Sequence, residues 1–471
     1  MPEAYDLIVI GSGPGGYRAA VLAAQRGLKV GIVEKAEWGG CGLNRGCLPK
    51  NDWHHSAKLI AASKTFPKRG ISGPLSGDLA GAWEHQKKFV RAVRDGYIGQ
   101  MKRLGIGGFA AAASFVDAHT IALDGRDRLT AHHFVIATGS SPYVPKPFFL
   151  TENRVLTTDD LFNNPPPPGK RVAIVGSGPV GAEFAFILSM LGREVIWVAQ
   201  NKPLAHSRFS EAALTQLYDR LKRCGIEPRV GARPEAVEMP PEGVKLILHG
   251  GTEAVVADWA LLGTGRRPHT SGLNADAAGV NTDSKGFIKT NEFMQTSQPH
   301  VYAVGDVTNG RMTANQALAD AAVAVANILA PGSRAQNRGA VPDLVYSALE
   351  LGRIGLNGDE ARDGAREPLV GYSPFEHNAR ALSQDDGDGF VRLIADPKTG
   401  ALAGAEVVGS DAGELIHLIA QRYGEPDAFK AFTATFYGHP ARAEEVFNAA
   451  QSLANQLTLA DQPVEIQKAV G

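Results

Sequence analysis

One pattern occurs twice in this chain, and it constrains the fold more than any other feature. "YDLIVIGSGPGGYRAA" stands near the start and "KRVAIVGSGPVGAEFA" recurs from Lys170. Each copy is a short β-branched run, then G-x-G-x-x-G, then an Ala-rich helical stretch. That is the strand–turn–helix context of a dinucleotide-binding fingerprint. Gly11 and Gly176 make the tight turn. Gly13 and Gly178 let backbone approach a pyrophosphate, and Gly16 and Gly181 let helix and strand pack closely. The helix N-terminus then offers free N–H groups and the positive end of its dipole.

The two copies differ where an acidic residue usually holds the ribose hydroxyls. Copy one has Glu34, 23 residues after Gly11; the same offset from Gly176 lands on Ala199. The first site can grip a ribose with a carboxylate and the second cannot. A 2′-phosphate is therefore not repelled at the second site, although no Arg stands there either. Gln200, Asn201, Lys202 and Arg208 are the nearby candidates, so NADH and NADPH both stay open.

A second pair of echoes follows. "FVIATGSSP" and "ALLGTGRRP" are each a strand ending in Thr-Gly, at Thr138-Gly139 and Thr264-Gly265. As the close of a dinucleotide-binding half, each brings backbone near a cofactor. "NNPPPPGK" (163–170) is a semi-rigid linker ahead of the second fingerprint. Beyond residue 270 the chain returns to a strand followed by Gly305-Asp306. From about Gly339 the composition changes. "GFVRLIADPKTGALAGAEVVG" alternates around a Lys-Thr-Gly turn and reads as antiparallel strands, and "AGELIHLIAQRY" reads as a helix.

Bulk properties narrow the function classes. A length of 471 residues suggests about three domains. The formal net charge of −1 gives no sign of a nucleic-acid partner or an anionic membrane. No apolar run approaches the ~18 residues of a membrane span. The opening segment has neither a basic n-region nor a long h-region, which places the protein in the cytoplasm. The 3 cysteines, Cys41, Cys47 and Cys224, exclude a disulfide scaffold. The close pair in "GGCGLNRGCLPK" (39–50) leaves a catalytic dithiol, a metal site or a packed loop, and it lacks the second ligand pair a structural metal needs.

Taken together, "GSGPGGY", "GG…LNRGCLPK", "ATGSSP", "GSGPVGAE", "GTGRRP", "VYAVGD", "GFVRLIAD" and "HPARAEE" resemble the pyridine nucleotide–disulfide oxidoreductases, nearly end to end. Within that family the chain resembles the dihydrolipoamide dehydrogenases and glutathione reductases. The resemblance implies an α/β fold with two Rossmann-like dinucleotide-binding domains plus a C-terminal α+β dimerisation domain. It implies FAD-binding segments at 1–150 and 270–338, an NAD(P)-binding domain at 151–269 and an interface domain at 339–471. FAD and NAD or NADP are the implied cofactors, in a homodimer whose substrate is a small dithiol or disulfide, or a lipoyl-carrying protein. Asp306 is then a flavin side-chain contact, with Gly305 allowing close backbone approach. A mercuric reductase is disfavoured, because no cysteine lies near the C-terminus.

In the family, electrons pass between nicotinamide, FAD and a cysteine pair. Cys47, in "GCLPK", matches the cysteine beside the flavin, and a helix beginning nearby stabilises its thiolate. The other thiol departs from the pattern: the family has C-x4-C, whereas Gly42 stands at the usual position here and the thiol is at Cys41. In a regular helix, residues six apart are about 10 Å apart, and a disulfide wants Cα atoms about 4.4–6.8 Å apart. Cys41 must therefore lie off the helix, and Gly42 and Gly46 give the backbone that freedom. Two alternatives stand: Cys41 and Cys47 are a redox pair, or Cys47 alone faces the flavin and Cys41 is a packed residue.

Lys50 falls three residues after Cys47, as in glutathione reductases; dihydrolipoamide dehydrogenases carry the lysine one residue later, where Asn51 stands. Glu183 matches the carboxylate that pairs with it. His439, with Glu444 five residues on, resembles the family's acid–base His and its orienting Glu. Tyr437 stands where dihydrolipoamide dehydrogenases carry a second His. Arg442 reads as a solvated surface arginine or as local charge for an anionic substrate. Adjacent His54 and His55 point about 100° apart on a helix and are poor co-ligands, and Cys224 reads as a packed thiol at a helix end. An oxidase, a transhydrogenase, an electron carrier and a non-catalytic redox sensor are the alternative functions.

Overall fold

The structure is a computed structural model that describes residues 4–251, 253–358, 360–361, 367–396 and 398–460. Its contacts divide it into two compact units.

The first unit comprises Met1–Ala205 and Pro228–Asn337. Its larger sheet begins with Tyr5–Ile10, which pairs in parallel with Val30–Glu34 on one side and Asp127–Ile136 on the other. Gly107–Ala110 extends the sheet beyond Val30–Glu34, and Val301–Ala303 pairs in parallel with the end of Asp127–Ile136. Leu7, Ile8 and Val9 are 0% exposed, because a parallel sheet covered on both faces needs a continuous apolar run. Leu7 and Val9 enter one core cluster and Ile8 and Ile10 the other. The strand order reverses at Tyr5–Ile10, and such a switch point opens a crevice at the carboxyl ends of the strands.

The second fingerprint builds a separate parallel sheet, ordered Pro228–Val230, Glu194–Ala199, Arg171–Val175, Trp259–Leu262 and Val155–Thr157. Both Gly-rich helices, Pro14–Ala24 and Pro179–Met190, begin on a proline, a residue suited to a first turn because it has no N–H to satisfy. Ser140–Pro142 and Arg266–Pro268, just past the two Thr-Gly turns, pair as a short antiparallel ribbon.

The second unit comprises His206–Glu227 and Arg338–Gly471, of which 461–471 lie outside the described residues. Five antiparallel strands are ordered Asp343–Tyr346, Glu350–Gly355, Leu402–Val408, Phe390–Ala395 and Leu369–Pro374. Ile354, Phe375, Leu393, Ile416, Phe429, Val446 and Leu453 form its core with the helices Ala412–Ala420, Ala428–Ala434 and Glu444–Ala460. Residues 206–227, which the sequence reading put inside 151–269, group here with 338–471. Arg220, on the helix Glu211–Arg223, bonds Asp386 and Asp388, and Ser210 N–H donates to Glu406 at 2.6 Å.

Candidate active site

A cavity of about 440 Å³ opens where the larger sheet's strand order reverses. Its floor is the first Gly-rich turn. Gly11 has φ +101, and a Cβ there would lie 2.4 Å from the Ala137 carbonyl oxygen. A Cβ on Gly16 would fall 1.9 Å from the Gly11 carbonyl oxygen, whereas Gly13 faces open space. The turn thus closes against Ala137 while leaving room for a phosphate group beside Gly13.

Glu34 ends its strand with both oxygens engaged. Oε2 accepts from the Ser12 N–H at 2.9 Å and the Ser12 hydroxyl at 2.7 Å, and Oε1 accepts from the Ala36 N–H. Ser12, which the sequence reading passed over, also takes a bond from the Gly39 N–H. Its place inside the fingerprint was the available signal. Thr138 Oγ1 lines the cavity and is buried without a hydrogen-bond partner among the described residues. An orphaned hydroxyl calls for a ligand partner. This hydroxyl, the glycine cradle and the Glu34 carboxylate fit a flavin dinucleotide. Gly139 and Gly265, at φ +72 and +103, both face open space beside the ribbon.

The cysteine loop lies on the same cavity. Gly40 seats on the phosphate turn, since a Cβ there would come 2.6 Å from the Gly13 Cα. Cys41 belongs to a short helix, Gly40–Asn44, and Cys47 opens a longer one, Cys47–Ser63. The break falls at Arg45 and Gly46, and Gly46 folds so close to Cys41 that a Cβ would lie 3.1 Å from its carbonyl oxygen. The two cysteines therefore do not share a regular helix. Both sulfurs are free, not joined in a disulfide.

Each sulfur has its own charged neighbour. Cys47 opens onto the cavity at the first position of its helix. Burial in the protein pushes its thiol up, Lys50 pulls it down, and Glu183 and Asp306 push it up again. Lys50 Nζ lies 2.9 Å from Glu183 Oε1, with both side chains 10% exposed. Burial also pushes the Cys41 thiol up, opposed by Arg266, whose Nη2 lies 3.6 Å from Cys41 Sγ. The Ser140 hydroxyl donates to Asp306 Oδ2 at 2.6 Å and accepts from Arg266 Nε at 2.6 Å. A Cβ on Gly305, at φ +73, would meet Ala317 at 2.9 Å. Arg266 and Ser140 were not singled out in the sequence, because only the ribbon pairing brings them to Cys41 and Asp306.

The second fingerprint repeats the cradle. A Cβ on Gly176 would lie 2.3 Å from the Gly263 carbonyl oxygen and one on Gly181 would lie 2.2 Å from the Gly176 carbonyl oxygen, while Gly178 faces open space. Ala199 ends its strand at 0% exposure, with no side chain to reach a ribose. Arg208, one of the candidates for a 2′-phosphate, is held in an ion pair. It belongs to the second unit, where Glu360 takes its Nε at 2.7 Å and its Nη2 at 2.6 Å. Lys202 is exposed.

In the second unit, His439 Nδ1 lies 2.9 Å from Glu444 Oε1. Glu444 starts the helix Glu444–Ala460 and its Oε2 accepts from the Ala441 N–H at 2.8 Å. That N–H and the His439 ring hold its carboxyl below the usual carboxylate range. With Nδ1 committed, Nε2 is left to exchange protons. Tyr437 stands near this segment with its ring 6.2 Å from that of Phe447. The surface reading of Arg442 is corrected: it is 4% exposed. Its guanidinium bonds Asp386 Oδ2 at 3.0 Å and Gln384 at 3.2 Å, because the turn after His439 folds inward and the buried cation needs a carboxylate. His54 packs at 4% exposure against Phe186, His55 is exposed, and Cys224 caps the helix Glu211–Arg223.

These features define a flavin- and nicotinamide-dependent oxidoreductase, and comparison with known proteins agrees. The pyridine nucleotide-disulphide oxidoreductase family matches residues 5–321, and its dimerisation domain matches residues 341–450. The chain belongs to this family and uses FAD and NAD(P). It is 35% identical over 460 residues to the dihydrolipoyl dehydrogenase of Thermus scotoductus, covering 96% of this chain and 98% of that protein. The dihydrolipoyl dehydrogenase of Geobacillus stearothermophilus is 30% identical over 452 residues, covering 95% of each. The crystal structure of LpdA from Mycobacterium tuberculosis superposes with a TM-score of 0.88 at 25% identity, over 94% of this chain and 99% of that one. Among the described residues, no helix is long and apolar enough to cross a membrane.

Proposed function

We propose that this protein is a homodimeric cytoplasmic enzyme that moves two electrons between NAD(P)H and a dithiol/disulfide substrate through Cys41 and Cys47. The substrate is a small disulfide or a lipoyl-carrying protein, as for the dihydrolipoyl dehydrogenases it resembles. The observation that carries this reading is the placement of Cys47 at a helix N-terminus on the cofactor cavity, one turn before the buried Lys50–Glu183 pair. FAD, when bound, supplies two-electron exchange between the nicotinamide and sulfur.

The chain's own residues supply the rest. The helix N-terminus and Lys50 favour the Cys47 thiolate. In the reducing direction, the Cys41 thiolate attacks a substrate disulfide and releases one thiol. Cys47 then attacks the Cys41 sulfur, releases the second thiol and closes an intramolecular disulfide. NAD(P)H supplies the electron pair that reopens it. As the family resemblance implies, His439, its ring fixed by Glu444, serves the dithiol of the other subunit of the homodimer, where it gives the departing thiolates their protons and recovers them in the opposite direction.

A second reading keeps FAD and the nicotinamide but omits disulfide turnover, giving an oxidase, transhydrogenase, electron carrier or redox sensor. The unjoined sulfurs and the missing ribose carboxylate at Ala199 favour it. Anaerobic titration with NADH and with NADPH separates the readings. The relay gives bleaching of the flavin, a long-wavelength thiolate-to-flavin band and two new titratable thiols. Bleaching without new thiols supports the second reading, and no bleaching supports a sensor.

A further inference from the structure

The cysteine displaced by one position needs an activating group of its own, because the Lys50–Glu183 pair serves Cys47. We propose that Arg266 is the positioning residue that lowers the cost of ionising Cys41 and so makes it the attacking sulfur. The inference rests on the thiol reading above and goes beyond it in naming the group that activates the second thiol.

The geometry is specific. Arg266 Nη2 lies 3.6 Å from Cys41 Sγ. The same nitrogen donates to the Ser140 carbonyl oxygen at 2.8 Å, and Nε donates to the Ser140 hydroxyl at 2.6 Å. Two bonds to one residue lock the planar fork, so the cation is aimed rather than merely nearby. The antiparallel ribbon supplies that lock, since it sets Arg266–Pro268 against Ser140–Pro142.

The other charged groups facing Cys41 are Asp159, Arg45 and Cys47. Arg45 is already committed, to Glu37 and to Asp159, each at 3.3 Å. Asp159 therefore offsets Arg45 and leaves Arg266 as the cation that acts on the sulfur. The carboxylate nearest to Arg266, Asp306, lies 3.7 Å from Nε, and its Oδ2 already accepts the Ser140 hydroxyl. Burial pushes the Cys41 thiol up, and the guanidinium beside its sulfur opposes that shift and eases formation of the nucleophile. The thiolate attacks R–S–S–R′, forms Cys41–S–S–R and expels R′S⁻. The Cys47 thiolate then displaces RS⁻ from Cys41, and both leaving groups take protons.

The test is the pH dependence of iodoacetamide alkylation in FAD-loaded protein, which reads the sulfur and needs no turnover. Cys41 is followed in C47S/C224S protein and Cys47 in C41S/C224S protein, each with R266Q, R266M or R266K added. Two neutral variants are used so that misfolding of one leaves the measurement intact. The midpoint for Cys41 is expected to rise by about one pH unit in R266Q and R266M, slowing alkylation at neutral pH about tenfold, with partial recovery in R266K. The Cys47 midpoint is expected to move less. An unmoved Cys41 profile, or an equal shift in both cysteines, overturns the proposal. A shifted Cys41 profile in an enzyme that shows no disulfide turnover leaves Arg266 assigned and sinks the relay instead.

Discussion

Lys50 and Glu183 stand 133 residues apart in sequence, yet Nζ and Oε1 meet at 2.9 Å between two packed helices beside Cys47. The two charges act on that sulfur with opposite sign. K50M is expected to raise the Cys47 alkylation midpoint and E183Q to lower it, provided each variant retains FAD. Each substitution breaks a buried ion pair, so each is expected to cost about 3–5 kcal/mol of stability, read by urea unfolding. Shifts of the same sign in both variants would exclude an electrostatic origin.

His439 has its Nδ1 held by Glu444, which fixes the ring and leaves Nε2 for the proton exchange proposed above. H439Q is expected to lower turnover of a dithiol substrate by about 10²–10⁴. E444Q keeps an oxygen acceptor but loses the charge, and its expected loss is smaller. Steady-state kinetics with dihydrolipoamide measures both. Full activity in H439Q would remove the histidine from the proton path.

The second fingerprint carries no carboxylate at the offset where Glu34 stands in the first, because Ala199 ends that strand. A charged hydrogen bond of about 1.5–3 kcal/mol is therefore missing from NADH recognition, and no carboxylate repels NADPH. Dissociation constants for the two coenzymes, measured by titration of the oxidised enzyme with NAD⁺ and NADP⁺, are expected to agree within about tenfold. A preference for NAD⁺ beyond a hundredfold would require an acidic ribose ligand elsewhere.

Asp386 lies between the guanidinia of Arg220 and Arg442 and accepts from the Ser410 hydroxyl. Burial pushes its carboxyl up, but the Ser410 hydroxyl and the two guanidinia outweigh it and hold the group below its ordinary value. A depressed native carboxylate contributes stability that is present above the unfolded value of about 3.9 and is lost as pH falls toward the native one. Urea unfolding is expected to show wild type losing stability below about pH 4 more steeply than D386N. Parallel acid limbs would show that this network does not govern acid stability.

The two Gly-rich turns were legible in the sequence because their requirement is local: a Cβ on Gly16 or Gly181 would strike the carbonyl oxygen five residues back. Glu34 was legible by its offset, and the pairing of Lys50 with Glu183 only by resemblance. The break at Arg45–Gly46 was partly legible, since glycines flank it. Arg266 beside Cys41 was not, because that contact depends on the pairing of Ser140–Pro142 with Arg266–Pro268 across 126 residues. Arg442 was misread for a related reason. Its burial follows from Asp386 and Gln384, which no periodicity around residue 442 discloses.

The most direct test of the relay is a thiol count on FAD-loaded C224S protein, before and after anaerobic reduction by one equivalent of NADH or NADPH under denaturing quench. Enzyme oxidised beforehand is expected to gain two thiols per chain, both mapping to Cys41 and Cys47, and C41S is expected to gain none. A flavin that bleaches fully while the count stays constant would contradict disulfide exchange between these two sulfurs.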